Sequence, residues 1–572
     1  MDSVATNRAP PRVRWLGRVP YGEALVLQTA LFDHGHDDHL LLLEHDHVFT
    51  HGPNADLATN LRCDPADVGA ELVAVRRGGD ITYHGPGQLV GYPILTVPNA
   101  KGSIDHVRWV EQVLIDVLAD LGLAGAGRLP GYPGVWVDAS GSEPRKIAAI
   151  GVRLARGRTM HGFALNVETD LTYMRDHIVA CGIADRPVTS LQEEGVEASM
   201  ATVVDLVVDR VAGRGPDRRP VDRQDVAWRH RPEDLSPFSS GHGPGQPVRP
   251  RSHARLDQAG VTDGLSIESR KPDWLRPVVR LGPEVLAVKR TVRDLGLVTV
   301  CEDAGCPNLS ECWAEGTATF MVLGERCTRA CGFCLVDTRR PLGPDADEPA
   351  LVAEAVDRMA IEHAVLTMVA RDDLDDGGMA HVAACVVAIR TRRPGTRVET
   401  LVSDAKGRFD SFDPLFDAGV DVFAHNLETV ARLQRAVRPS AGYARSLGVL
   451  SNARSVADRT GRGPIVKSGI MVGLGETDDE VVGALADLAG IGCDIVTIGQ
   501  YLRPTSHHLP VARWVEPDEF TRWKALGESM GIAHVEAGPL TRSSHHARRA
   551  AERVQPDRVT PVSIGTGSSR TD

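Results

Sequence analysis

The chain has 572 residues, too many for one compact core at about 100–200 residues per domain, so two to four domains are expected. A hydrophobic fraction of 42 % and a charged fraction of 24 % exclude wholesale disorder. The net charge of −12 argues against a dedicated nucleic-acid binder, and no apolar run approaches the roughly 18 residues that span a bilayer. The opening MDSVATNRAP has no apolar signal core, so a cytoplasmic location without a membrane partner is expected.

In chain order, LVAV (72–75), QLVGYPILTV (88–97) and GVWV (134–137) predict strands. Val107, Val110, Leu114, Val117, Leu118 and Leu121 recur at helical spacing and predict one amphipathic helix. KIAAIGVRL (146–154) and MHGFALNV (160–167), joined across Arg-Gly-Arg, predict a hairpin. The first half is therefore α+β, with helices on a mostly antiparallel or mixed sheet. Residues 213–269 turn Arg-, Pro-, Gly- and His-rich without periodicity and are assigned to a linker. A plain solvated tether is the simple reading, and contact with an anionic partner is the alternative.

The second half alternates. FMVL (320–323), VLTMV (365–369), VETLV (398–402), VDVFAH (420–425), VKSGIMVG (466–473), DIVTIG (494–499) and AHVEAG (533–538) predict strands separated by helical stretches. Repeated β-then-α units imply a parallel sheet, closed into a complete or partial barrel, with functional residues just after the strands' C-terminal ends. The expected domains are 1–212, a linker over 213–269, and 270–572.

Six of the ten cysteines fall between Cys301 and Cys334, a crowding that reads as metal binding in a reducing compartment. Cys327-x3-Cys331-x2-Cys334 directly follows a predicted strand. Three thiolates on one short loop can hold three irons of a four-iron cluster and leave the fourth open; zinc would want a fourth ligand, which the loop does not offer nearby. Cys301-x4-Cys306-x5-Cys312, taken alone, fits a zinc element as well. The chain also has seven Lys against fifty-seven Arg, so Lys146, opening the apolar run KIAAIG, is poorly explained as generic surface charge.

The x3-x2 spacing resembles the radical S-adenosylmethionine superfamily. CEDAGCPNLSECW followed by TATFMVLGERCTRACGFC resembles lipoyl synthase, as do ARDDLDDGG, HNLETV, KSGIMVGLGET and GQYLRPTSHHLPV. That resemblance implies a partial TIM barrel, two [4Fe-4S] clusters and S-adenosyl-L-methionine, cleaved to a 5′-deoxyadenosyl radical. Cys327, Cys331 and Cys334 would hold the radical-generating cluster. Cys301, Cys306, Cys312 and Ser544, in Arg542-Ser543-Ser544-His545, would hold an auxiliary cluster consumed as the sulfur source. His545 stands where the family usually has Tyr, and could itself compete for iron. Gly473 and Glu476 would contact S-adenosylmethionine, while Lys467 is open to a substrate-positioning or a structural role.

In the first half, RGGDITYHGPGQ (77–88) reads either as a long turn or as a binding loop whose glycines admit a ligand to the backbone. With EHDHVFTHG, PGVWV, RKIAAIGVR and HGFALNV, it resembles the octanoyltransferases of lipoate assembly, which have the biotin/lipoate ligase-like fold. The resemblance implies Cys181 as an acyl-accepting nucleophile and Lys146 as its base, a role that desolvation of the amine would serve. It also implies octanoyl binding by Arg77, Gly78, Gly79, Asp80, Ile81, Thr82, Tyr83, His84, Ala149, Ile150, Gly151, Gly162, Phe163 and Ala164. The relatives that activate a free acid with ATP lack the cysteine, so Cys181 favours transferase over ligase. Implied partners are octanoyl-acyl carrier protein, lipoyl domains of 2-oxoacid dehydrogenase complexes, the glycine-cleavage H-type protein, and an electron donor such as ferredoxin or flavodoxin. The competing reading makes the first half a docking module only, and the cysteines structural zinc ligands.

Overall fold

The computed structural model describes residues 10–97, 102–214, 221–227, 256–262, 264–265, 269–276, 290–291, 293–299, 308, 312 and 317–555, the last without 462 and 507. The chain divides into two compact bodies, residues 1–228 and 229–572. Among the described residues no helix is long and apolar enough to cross a membrane.

The first body holds strands β1 (Arg12–Arg18), β2 (His39–Glu44), β3 (Val48–His51), β4 (Glu71–Ala74), β5 (Thr82–His84), β6 (Gln88–Ile94), β7 (Gly127–Leu129), β8 (Tyr132–Val137), β9 (Arg145–Ala155), β10 (Arg158–Asn166) and β11 (Asp222–Asp225). They form an eight-stranded mixed sheet in the order β11-β1-β2-β6-β10-β9-β8-β7 and a small sheet β4-β3-β5. The predicted hairpin is present: β9 and β10 pair antiparallel from Arg158↔Ala155 to Leu165↔Ala148. The predicted helix runs Gly102–Asp120 and buries Val110, Leu114, Val117 and Leu118. These pack with Val203, Val204 and Val207 of the helix Met200–Arg214 and with sheet residues such as Leu89, Val135 and Ile147. Continuous burial of this apolar face supplies the main driving force, at about 25 cal/mol per Å² of apolar surface.

The linker boundaries need correction at both ends. β11 lies inside the stretch assigned to the linker yet pairs parallel with β1. Its sequence, DRQD, carries no apolar signal because this edge is held by charge: Asp222 accepts from Arg12 (2.8 Å) and Arg14 (3.2 Å). At the other end Leu256 and Ala259 are buried, and the Leu265 N–H donates to Val511 O at 2.7 Å, so residues 256–265 dock on the second body. Residues 228–255, between these docked ends, lie outside the described residues.

The second body is built on β12 (Val298–Thr299), β13 (Thr317–Val322), β14 (His363–Met368), β15 (Arg397–Leu401), β16 (Val422–Ala424), β17 (Ile465–Val472), β18 (Ile495–Gln500) and β19 (His534–Gly538). β13 to β19 run parallel in sequence order, and β12 adds antiparallel at the β13 edge. Helices between successive strands cover the outer face, which explains why β13 and β18 are buried at every position and read as unbroken apolar runs. The architecture is a partial barrel, open at the strands' C-terminal ends.

Candidate active sites

In the first body a cavity of about 120 Å³ gathers residues from the glycine-rich loop, β5, the β9–β10 hairpin and the segment after β10. Twelve of the fourteen residues expected to bind the acyl chain line it: Arg77, Gly78, Gly79, Asp80, Thr82, His84, Ala149, Ile150, Gly151, Gly162, Phe163 and Ala164. Three pairs of them face one another across the hairpin, Gly162↔Gly151, Phe163↔Ile150 and Ala164↔Ala149. Ile81 and Tyr83 do not line the cavity. Strand alternation turns them to the opposite face, where both are fully buried beside Phe49 and Leu171, and the Tyr83 hydroxyl meets His47 Nδ1 at 2.7 Å. Tyr21, Tyr92, Pro133, His161 and Ile183 also line the cavity and carried no such signal in the sequence.

Cys181 and Lys146 reach this cavity from separate elements. Cys181 sits on a single turn, Ala180–Gly182, in left-handed backbone (φ 59°), and its N–H donates to Ile81 O at 2.8 Å. A non-glycine residue held there stores about 1–3 kcal/mol of strain, which the fold retains where the side chain must be presented. Lys146 opens β9 and is 7 % exposed, with Nζ 5.2 Å from the centre of the Trp136 ring. Among the described residues its Nζ makes no hydrogen bond or ion pair, so it is held by packing. Gly134 makes room for it: a Cβ there, at φ 115°, would stand 3.0 Å from Lys146 Cε and 2.4 Å from Ala148 O. The Lys146 N–H donates to Pro187 O (2.9 Å) and its carbonyl accepts from Thr189 N–H (2.9 Å), tying the chain just beyond Cys181 to the lysine's own backbone.

The cavity's electrostatics favour neutral groups around one cation. Burial and the neighbouring His45 push His84 down to about 3; burial and Arg77 push His161 down to about 4. Burial raises Tyr21 to about 12. Arg77, itself lowered by burial, donates to Asp80 O (2.9 Å) and Thr50 O (2.6 Å), and its charge acts on Cys181.

In the second body a cavity of about 640 Å³ opens at the C-terminal ends of the strands. Cys327, Cys331 and Cys334 follow β13 on a loop pinned by Cys327 N–H to Asp337 O (2.8 Å), Gly332 N–H to Val437 O (2.9 Å) and His508 Nε2 to Cys334 O (3.0 Å). Cys327 Sγ accepts from the N–H groups of Arg329 (3.4 Å) and Ala370 (3.3 Å). Burial raises all three thiols, Cys331 to about 11, and the thiols raise one another. Three sulfurs on one loop, with amides already directed at one of them, fit iron–sulfur ligation, where a bound cation deprotonates each thiol outright.

The cavity wall carries Cys334, Glu399, Asn426, Glu428, Gly469, Gln500 and Thr541 to Ser544. Gly499 lets the last loop reach it: a Cβ there would stand 2.0 Å from Thr541 O. Ser543 is held by both amide atoms of Asn426, at 2.8 and 3.1 Å. The Ser544 hydroxyl lines the cavity and, among the described residues, makes no hydrogen bond. Cys312 is buried, and its N–H donates to Asn308 O (3.0 Å) while Asn308 Nδ2 donates to Leu540 O (2.7 Å), so Cys312 hangs from the loop that carries Ser544. Cys301 and Cys306 lie outside the described residues.

Two expectations shift. Gly473 and Glu476 do not line the cavity; the Glu476 carboxylate instead accepts from the N–H groups of Gly473 and Leu474 (3.0 Å for the latter) and shapes the turn after β17. Lys467 is fully buried and pairs with Glu399 at 2.8 Å, whose other oxygen meets His363 Nε2 at 3.2 Å. Burial pushes the Glu399 carboxyl up, but Lys467 and His363 outweigh it and hold it below its ordinary range.

Comparison with known proteins bears on both bodies. Residues 20–212 match the lipoyl protein ligase A/B catalytic domain, and residues 321–488 match the radical SAM superfamily. The lipoyl synthase of Rubrobacter xylanophilus is 52 % identical over 282 residues, covering 49 % of this chain and 87 % of that protein. The chain belongs to the lipoyl synthase family. The lipoyl synthase of Kineococcus radiotolerans is 49 % identical over 280 residues, covering 49 % of this chain and 82 % of that protein. A bipartite lipoate protein ligase structure from Thermoplasma acidophilum covers 38 % of this chain and 88 % of its own, at 17 % identity and TM-score 0.33, a level that adds nothing further. As a lipoyl synthase joined to a ligase A/B-type catalytic domain, the chain is an enzyme of lipoyl cofactor biosynthesis that carries two activities and uses S-adenosylmethionine and iron–sulfur chemistry.

Proposed function

We propose that the two bodies perform consecutive steps on one acceptor. The first moves an octanoyl group from acyl carrier protein to a lysine of a lipoyl domain, in a 2-oxoacid dehydrogenase complex or a glycine-cleavage H-type protein. The second inserts sulfur at C6 and C8 of that bound chain. The observation that carries the reading is the convergence of Cys181, Lys146 and the Arg77–His84 loop on one cavity.

Cys181 takes the acyl group as a thioester, an exchange of one thioester for another that is nearly isoenergetic. Lys146 accepts the thiol proton and passes it to the departing carrier-protein thiolate; it then accepts a proton from the incoming acceptor lysine and returns it to the Cys181 thiolate as the amide forms, downhill from the thioester without ATP. Arg77 lines the same cavity, and the small residues of β9 and β10 admit the alkyl chain.

In the second body Cys327, Cys331 and Cys334 would hold one four-iron cluster, and Cys301, Cys306, Cys312 and Ser544 a second. Bound there with S-adenosylmethionine, these centres supply the radical and the sulfur that unactivated C–H bonds require. The chain's own contribution is position: Asn426 fixes Ser543 and so presents Ser544, and the Lys467–Glu399–His363 pair stiffens the cavity floor. Ferredoxin or flavodoxin would supply the electrons.

The domains are proposed as a catalytic body ending with β11 and a second beginning near residue 256. Joining both bodies in one chain raises the second site's effective concentration near the acylated domain. The test supplies octanoyl-carrier donor, apo lipoyl domain, S-adenosylmethionine and reductant, and follows the acceptor's mass. Gain of octanoyl and then of two sulfurs is expected; absence of a Cys181 octanoyl adduct overturns the first step.

A further inference from the structure

One residue beyond Ser544, outside the cavity, lie two adjacent histidines. The side chains of consecutive residues normally diverge, yet the His545 and His546 rings stack with centroids 3.8 Å apart and planes at 26°. They do so because His546 is in left-handed backbone at φ 52°. That conformation costs a non-glycine residue about 1–2 kcal/mol. Glu536, on β19, reaches the same point: its Oε1 is 3.1 Å from His546 Nδ1. One ligand atom from each of Glu536, His545 and His546 lies within 4.8 Å of the others.

We propose that Glu536, His545 and His546 form a binding site for a divalent first-row transition ion. Two imidazoles and one carboxylate suit zinc or ferrous iron and not the hard, all-oxygen preference of magnesium or calcium. Ligand bonds of about 2.0–2.2 Å need only a small inward movement of the three side chains. The carboxylate is already oriented from behind: its other oxygen, Oε2, is 3.2 Å from His534 Nε2, the arrangement that fixes a metal-ligating carboxylate.

A second trio, Glu348, His381 and Cys385, has ligand atoms equally close and makes the instructive contrast. There one oxygen, Glu348 Oε2, already accepts from both Leu323 N–H (2.8 Å) and His381 Nε2 (2.6 Å). Cys385 is fully buried, and burial raises its thiol to about 12. That trio loads two donors onto one oxygen, whereas Glu536 turns one oxygen to each neighbour, Oε1 to His546 and Oε2 to His534. The site stands independently of whether Ser544 ligates a cluster.

The test uses the full chain with its clusters loaded anaerobically, dialysed against low-micromolar Zn²⁺, with zinc and iron counted per chain. The wild type is expected to retain one zinc more than His545→Tyr and Glu536→Gln, with iron unchanged in all three. His545→Tyr restores the residue common in the family and guards against misfolding. His534→Ala should weaken zinc binding by about 10–100-fold through loss of the orienting bond. Equal zinc in the wild type and His545→Tyr, or a zinc gain matched by iron loss, overturns the proposal.

Discussion

The first body's cavity measures about 120 Å³ and the second's about 640 Å³, and the walls differ as much as the volumes. Around Cys181 the ionisable neighbours, His84, His161 and Tyr21, are held neutral by burial, with the Arg77 charge fixed among them. The barrel cavity is lined by Glu399, held in a buried pair with Lys467, and by Cys334 of the three-cysteine loop. On the proposed reading, acyl exchange is chemistry that a thiol and an amine manage between themselves, which suits a small site. Breaking unactivated C–H bonds lies outside the reach of side chains, and the second body correspondingly provides volume and ligands.

That contrast can be broken most sharply at the thiols. Replacing Cys327, Cys331 and Cys334 together by Ala should abolish sulfur insertion and remove about four irons per chain. Octanoyl transfer should persist at its original rate; its loss would mean that the two sites are not independent. Cys181→Ala should lower octanoyl transfer by roughly 10³–10⁶-fold, with iron content untouched, as expected for removal of a nucleophile. Transfer rates and iron analysis on the same preparation read both outcomes.

Glu399→Gln sharpens the comparison at the barrel floor, because it leaves the Lys467 ammonium buried without its partner. A cost of about 3–5 kcal/mol is expected, read as lost hydrogen-exchange protection in β15 and β17. The first body should respond to pH instead. His84 and His161 have folded pKa values of about 3 and 4 against an ordinary 6.5. The unfolded chain therefore binds more protons between these limits. Stability is fully present above pH 6.5, declines by more than about 2 kcal/mol as pH falls toward 4, and levels off once the folded imidazoles protonate. Urea midpoints followed by hydrogen exchange in β6 and β10 across this range check the sign.

Periodicity made the barrel legible: all seven parallel strands fall on runs such as VLTMV and VKSGIMVG, whose burial on both faces leaves an unbroken apolar signature. The first-body hairpin was equally plain from KIAAIGVRL and MHGFALNV. What composition hid were the edges. DRQD forms β11 through Arg–Asp pairs, a contact made by residues 200 positions away that no local pattern records. Family resemblance singled out Cys181, Lys146 and Ser544, but could not separate Thr82 and His84, which face the cavity, from Ile81 and Tyr83, which face away. Gly473 and Glu476 illustrate the same limit, since a glycine followed by a carboxylate looks alike whether it meets a ligand or caps its own turn.

The loop Thr541–Ser544 enters the barrel only because Gly499 yields it space. A growing polypeptide has thus laid down every strand of the sheet before the segment that finishes the chamber emerges from the ribosome.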